Sequence, residues 1–199
     1  MKFPLLFAQK GGTTQVYAAL AQKYEAGCAV GDAIDCGGLA VLYSRGFGVP
    51  REDAKAAELY LRACDGGAVA YCNNLATSYE YGRGVVKDDA RAVSLWRKSC
   101  DNGTDTGCTG LGQMYEEGRG IQKDEVQAAA LFRKACKTFV FACLDLARMY
   151  EKGNGVVQDK TRAAALYRYG CDHADPAGCD NLARMYADGD GMKPDKKKA

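Results

Sequence analysis

The chain is poor in the residues on which much side-chain chemistry depends. It has a single histidine, His173, so any mechanism needing a histidine pair is excluded. Four prolines are spread over 199 residues, and no apolar run approaches the roughly 20 residues a membrane helix requires, which rules out a transmembrane-helix protein. Neither sign of charge dominates. The 27 Lys and Arg against 25 Asp and Glu leave a net +2 at pH 7, without the basic footprint of a nucleic-acid binder. What the chain has in abundance is cysteine, ten residues, and glycine, twenty-four, in a sequence 47% hydrophobic and long enough to bury a core.

The cysteines keep a beat. They fall at 28/36, 64/72, 100/108, 136/143 and 171/179, and the first of each pair recurs after 36, 36, 36 and 35 residues. Leucine and tyrosine follow in register as Leu39/Tyr43, Leu75/Tyr79, Leu111/Tyr115, Leu146/Tyr150 and Leu182/Tyr186. Then comes Gly-x-Gly, at Gly46/Gly48, Gly82/Gly84, Gly118/Gly120, Gly153/Gly155 and Gly189/Gly191. A second segment opens on an acid: Glu52, Asp88, Asp124, Asp159 and Asp195.

Each period predicts two helices. In the first, Leu111, Met114, Tyr115 and Gly118 share one helical face. Gly-x-Gly supplies the positive-φ positions that stop this helix. The acid then caps a second helix that buries Ala128, Leu131 and Phe132, matched by Ala56/Leu59/Tyr60, Ala92/Leu95/Trp96 and Ala163/Leu166/Tyr167. One such pair cannot hide its apolar face alone, so the units must stack, and the fold class is an all-α solenoid. Gln15–Gly27 reads as a degenerate second helix with Leu20 and Tyr24 in register. Residues 1–12 read as an N-terminal tail, because the apolar stretch in Met1–Ala8 is short for an export signal. Residues 13–199 form one solenoid, with repeats near 33–68, 69–104, 105–139 and 140–175 and an incomplete one at 176–199, where Asp195–Ala199 matches Asp159–Ala163.

Each cysteine pair joins the end of a second helix to the start of the next first helix. Two antiparallel helices linked by a short turn bring Cys28/Cys36, Cys64/Cys72, Cys100/Cys108, Cys136/Cys143 and Cys171/Cys179 within bridging distance. Five disulfides are the expectation, each closing a small loop worth about 2.5 kcal/mol by chain entropy. Zinc is disfavoured because its C-x2–4-C spacing is missing, and no cofactor is expected. Disulfides place the protein in an oxidising compartment.

Segments such as Leu111-Gly112-Gln113-Met114-Tyr115-Glu116-Glu117-Gly118-Arg119-Gly120-Ile121, followed by Asp124 and Ala128, resemble the Sel1-like repeat. With the C-x7-C pairs added, the chain resembles the Helicobacter cysteine-rich protein family over about residues 28–199. That resemblance implies right-handed stacking of αα-hairpins and a secreted or periplasmic protein, with the mitochondrial intermembrane space as the alternative. It also implies either a host-interaction or adaptor role, or penicillin binding with weak β-lactamase activity. The residues give the enzyme little support: none of Ser44, Ser78, Ser94 and Ser99 has a lysine three positions on, and K-T-G is absent. The fourth cysteine pair departs from the pattern as C-x6-C, and its turn carries Phe139 and Phe141, which either tuck into the groove or form an exposed patch.

First helices of αα-solenoids usually line a concave face. The candidate ligand-binding positions there are Asn74, Thr77 and Tyr81, then Gln113 and Glu117, then Asp145, Arg148 and Lys152, then Asn181, Arg184 and Asp188. Amides, a tyrosine and paired charges suit an extended peptide. The expected function is therefore a monomeric scaffold for a protein or peptide partner, with no nucleic acid and no membrane insertion.

Overall fold

The computed structural model describes residues 5–190, with side chains from residue 14 onward. Among these, ten α-helices and no strands are found: α1 (Leu5–Ala29), α2 (Ala33–Arg45), α3 (Asp53–Asp65), α4 (Ala70–Tyr81), α5 (Asp89–Asp101), α6 (Asp105–Glu117), α7 (Glu125–Ala135), α8 (Val140–Lys152), α9 (Lys160–Asp172) and α10 (Pro176–Asp188). The even-numbered helices are the first helices of the repeats and the odd-numbered ones the second. The helix expected over Gln15–Gly27 is longer at both ends, and α1 already begins within the segment read as a tail. Gly11 and Gly12 lie inside it, at a cost of about 1 kcal/mol each, which a helix continuing on both sides can absorb. Asp195–Ala199 and Gly191 lie outside the described residues.

The chain forms two compact units, Met1–Lys98 and Ser99–Ala199. The core of the first contains Leu39, Leu42, Tyr43, Leu59, Tyr60 and Leu75 between buried alanines, with Leu20 and Tyr24 of α1 packed against it. In the second, Phe132, Leu146, Met149, Tyr167 and Met185 fill the same role. Small Ala56, Ala92, Ala128 and Ala163 are essentially inaccessible, and the aromatic four residues on occupies the space they leave.

Local signals explain where the helices stop. Gly46, Gly82, Gly118, Gly153 and Gly189 each cap a first helix in the left-handed conformation. The second glycine of the motif has a separate task. A Cβ on Gly84 would lie 2.1 Å from the Asp53 carbonyl oxygen, and one on Gly155 2.0 Å from that of Glu125. These glycines let the turn after each first helix press against the start of the preceding second helix. Asp88, Asp124 and Asp159 accept hydrogen bonds from backbone N–H groups of the helices they open. Glu52 occupies the same position without such a bond.

Five disulfides join Cys28–Cys36, Cys64–Cys72, Cys100–Cys108, Cys136–Cys143 and Cys171–Cys179, with Cα atoms 4.4–4.8 Å apart. A second tie repeats beside them. Arg62 donates to the Cys28 carbonyl at 2.7 Å, Lys98 to that of Cys64 at 3.1 Å and Lys134 to that of Cys100 at 3.2 Å, each over 34 residues. Each cation meets the carbonyl end of the previous second helix, where the helix dipole favours positive charge. In the irregular turn the two phenylalanines divide the expected alternatives. Phe139 packs on Cys100, Cys108, Ala135 and Ala142, while Phe141 stays 58% exposed.

Candidate functional site

The first unit contains a cavity of about 530 Å³ between α2, α3 and α4. From α2 come Val41, Ser44 and Arg45; from α3, Asp53, Ala56 and Tyr60; from α4, Asn74, Thr77 and Ser78; Arg51 and Arg83 close the rim from the turns. Asn74 and Thr77 were expected at a binding face from the sequence. Tyr81 lies outside the lining, its ring 5.2 Å from the Arg83 guanidinium carbon.

The hydroxyl protons here are already committed. Ser44 donates to the Val41 carbonyl at 2.9 Å, which leaves the Tyr60 hydroxyl to donate to Ser44 across 3.1 Å. Thr77 and Ser78 donate to the Asn73 and Asn74 carbonyls. The oxygens keep their acceptor capacity, and the Asn74 side chain has no partner among the described residues. Arg51 grips Asp53 through two bonds of 2.9 and 2.8 Å. That bond holds the Asp53 carboxyl below its ordinary range, against partial desolvation and with help from the charges of Arg51 and Arg83.

In the second unit the candidate residues build rungs between successive first helices. Gln113 donates to Asp145 at 3.3 Å. Arg148 binds Glu116 through bonds of 2.6 and 2.9 Å and reaches Asp145 at 3.1 Å. Arg184 donates to Glu151 at 2.6 Å and to Asn181 at 3.5 Å. Burial raises the Asp145 carboxyl above its usual range, despite the hydrogen bonds from Arg148 and Gln113. Glu117 turns away to pair with Arg119, and Lys152 is exposed. Asp188 is exposed as well, with its charge felt by Arg184.

Sequence reasoning missed Ser44, Glu116 and Glu151, three equivalent positions, and the rim arginines. Part of the signal was available. Stepping back 36 residues from Thr77 and Tyr81 gives Val41 and Arg45, both in the cavity wall. A second hollow of about 370 Å³ lies over Leu146 and Leu166, beneath Arg133 and Arg162. Both arginines donate to the Tyr150 hydroxyl, which lowers its pKa. His173 is exposed, its ring on the Tyr169 carbonyl at 2.8 Å. No described helix is long and apolar enough to cross a membrane.

Comparison with known proteins places these features in a family. No curated protein matches the chain in sequence. Among solved structures, a protective antigen of uropathogenic Escherichia coli displaying an SLR fold is 28% identical with a TM-score of 0.81, over 96% of this chain and 45% of its own. This chain therefore spans less than half of that antigen. A Sel1 repeat protein from Oxalobacter formigenes is 30% identical with a TM-score of 0.77, over 85% of this chain and 70% of its own. Helicobacter pylori cysteine rich protein B is 26% identical with a TM-score of 0.54, over 66% of this chain and 96% of its own. The Sel1 repeat model matches residues 36–67, 69–104, 106–137, 140–175 and 176–199, and the chain belongs to the Sel1 repeat family.

Proposed function

We propose that this protein is a peptide-binding scaffold of an oxidising, extracytoplasmic compartment, and that its grip lies on the polar face of the first helices, centred on the cavity of α2–α4. Sel1 repeat proteins mediate protein interactions, which supports the class of function. The disulfides in every repeat support the compartment, because reducing cytosol would open them. The observation that carries the reading is the cavity wall itself. It offers hydroxyl oxygens with spare acceptor capacity and an unengaged amide, the groups that pair with the N–H and C=O of an extended backbone.

Selection of random twelve-residue peptides against the oxidised protein tests this. Enriched peptides are expected to bind the wild type and to lose at least tenfold in affinity on the Ser44→Glu/Thr77→Arg variant, whose longer side chains fill the cavity. Peptides that bind both proteins equally would remove the cavity as the site.

A further inference from the structure

The charges around the cavity of α2–α4 do not balance. Three guanidinium groups, Arg45, Arg51 and Arg83, meet one carboxylate, Asp53. Arg51 and Asp53 neutralise each other through their two-point bond. Neither Arg45 nor Arg83 has a carboxylate within ion-pairing distance among the described residues, and Arg83 rests against the Tyr81 ring. Two guanidinium groups without an ion-pair contact thus flank a polar hollow, with Arg83 acting on Asp53 only at longer range. Guanidinium presents N–H groups in a planar fork that matches a carboxylate, and its charge persists at every physiological pH.

The second unit shows what such a site looks like when the protein supplies the acid itself. At the position of Ser44 stand Glu116 and Glu151, and each carboxylate is taken by an arginine of the next first helix, Arg148 or Arg184. The position of Arg83 is held by Asp190, paired at 2.8 Å with Lys160, which stands where Asp53 does. In each of these three pairs acid meets base. Around the cavity the short Ser44 and Thr77 leave both space and positive charge unanswered.

We infer that the cavity binds a carboxylate carried by a peptide, with Arg45 and Arg83 taking the carboxylate while Asn74 and the hydroxyl oxygens of Thr77 and Ser78 hold the adjoining backbone. This rests on the peptide-binding reading above and names the chemistry of its ligand. The carboxylate could belong to acidic side chains or to a peptide's C-terminus, and the test separates these sources.

Three fluorescent eight-residue peptides are titrated into the oxidised full chain by polarisation. The first alternates glutamate and alanine with a blocked C-terminus, the second replaces every glutamate by glutamine, and the third is the glutamine peptide with a free C-terminus. At least one carboxylate-bearing peptide is expected to bind tenfold or more tightly than the blocked glutamine peptide. Arg45→Gln and Arg83→Gln should each reduce that preference at least threefold, and the exposed control Lys23→Gln on α1 should leave it unchanged. Binding should also weaken with added salt. If all three peptides bind equally well, peptide binding stands and the carboxylate assignment falls. If none binds, the assignment falls with the peptide-binding reading. A preference that survives both arginine substitutions places the carboxylate elsewhere and also overturns the assignment.

Discussion

The cavity between α2 and α4 and the rungs joining α6 to α8 and α8 to α10 are built at the same repeat positions, and they differ first in the two side chains that face across the gap. Where Ser44 and Thr77 face each other, a hollow of about 530 Å³ remains. Where Glu116 faces Arg148, and Glu151 faces Arg184, long side chains span the gap and satisfy one another. Beneath them the change continues, with hydroxyl-bearing Ser78 replaced by fully buried Met149 and Met185. The backbone geometry is shared: the same left-handed glycine caps and the same pressed turn occur in both units. A repeat protein can therefore open or close a site by exchanging short side chains for a charged pair, without altering the frame that holds it.

If the frame is common, damage to it must cost the same in both units. Gly84→Ala and Gly155→Ala each force a Cβ into backbone at a positive-φ position, and each should destabilise by about 3 kcal/mol in urea unfolding. A large inequality between them would break the comparison. Next in size, Arg148→Ala strands Glu116, whose side chain is only 11% exposed, and should cost about 2 kcal/mol. The double change Glu116→Ser/Arg148→Thr copies the cavity pair and should cost less than Arg148→Ala alone, because neither partner is left unpaired; the same unfolding assay decides. The reverse exchange, Ser44→Glu/Thr77→Arg, is expected to alter stability by less than about 1 kcal/mol, since it adds one partly exposed pair.

The smallest effect concerns pH, and its sign differs between the two places. Asp53 is held below the usual carboxylate value, so its contribution is fully present above about pH 3.9 and is lost as pH falls through its lowered folded-state value. Asp145 is raised, so its ionisation costs stability as pH rises from about 3.9 through its folded-state value, and acidification across that window restores it. Carbon-detected NMR titration of the carboxyls should find the Asp145 midpoint above, and the Asp53 midpoint below, the unfolded value. Equal midpoints would remove this part of the contrast.

The frame was legible in the sequence because it rests on local and periodic signals. Helix-stopping glycines, capping aspartates and the alanine–aromatic pairs need no knowledge of distant contacts. The site was legible only in part. Asn74 and Thr77 could be placed by repeat register, but the rungs join residues 32 or 33 positions apart. Glu116 and Glu151 sit next to the chosen stripe, and only packing of neighbouring first helices shows that they, and not Glu117 or Lys152, reach across. The empty space at Ser44 follows from what that residue lacks compared with its counterparts, which a search for chemically rich residues passes over.

The ties from Arg62, Lys98 and Lys134 to the cysteine carbonyls of the repeat before bear on how the chain could be shortened or lengthened. Each tie spans 34 residues within a period of 36, so excising or duplicating one whole period leaves a cation facing a helix end at each junction ahead of Tyr169. A cut one residue longer or shorter rotates the following helix by about 100° and points the cation away. At the next step of the series the position is held by Tyr169, so the tie stops there. Variation in repeat number is thus constrained to whole modules, and the natural place to splice is ahead of that tyrosine, where each junction still carries its own cation.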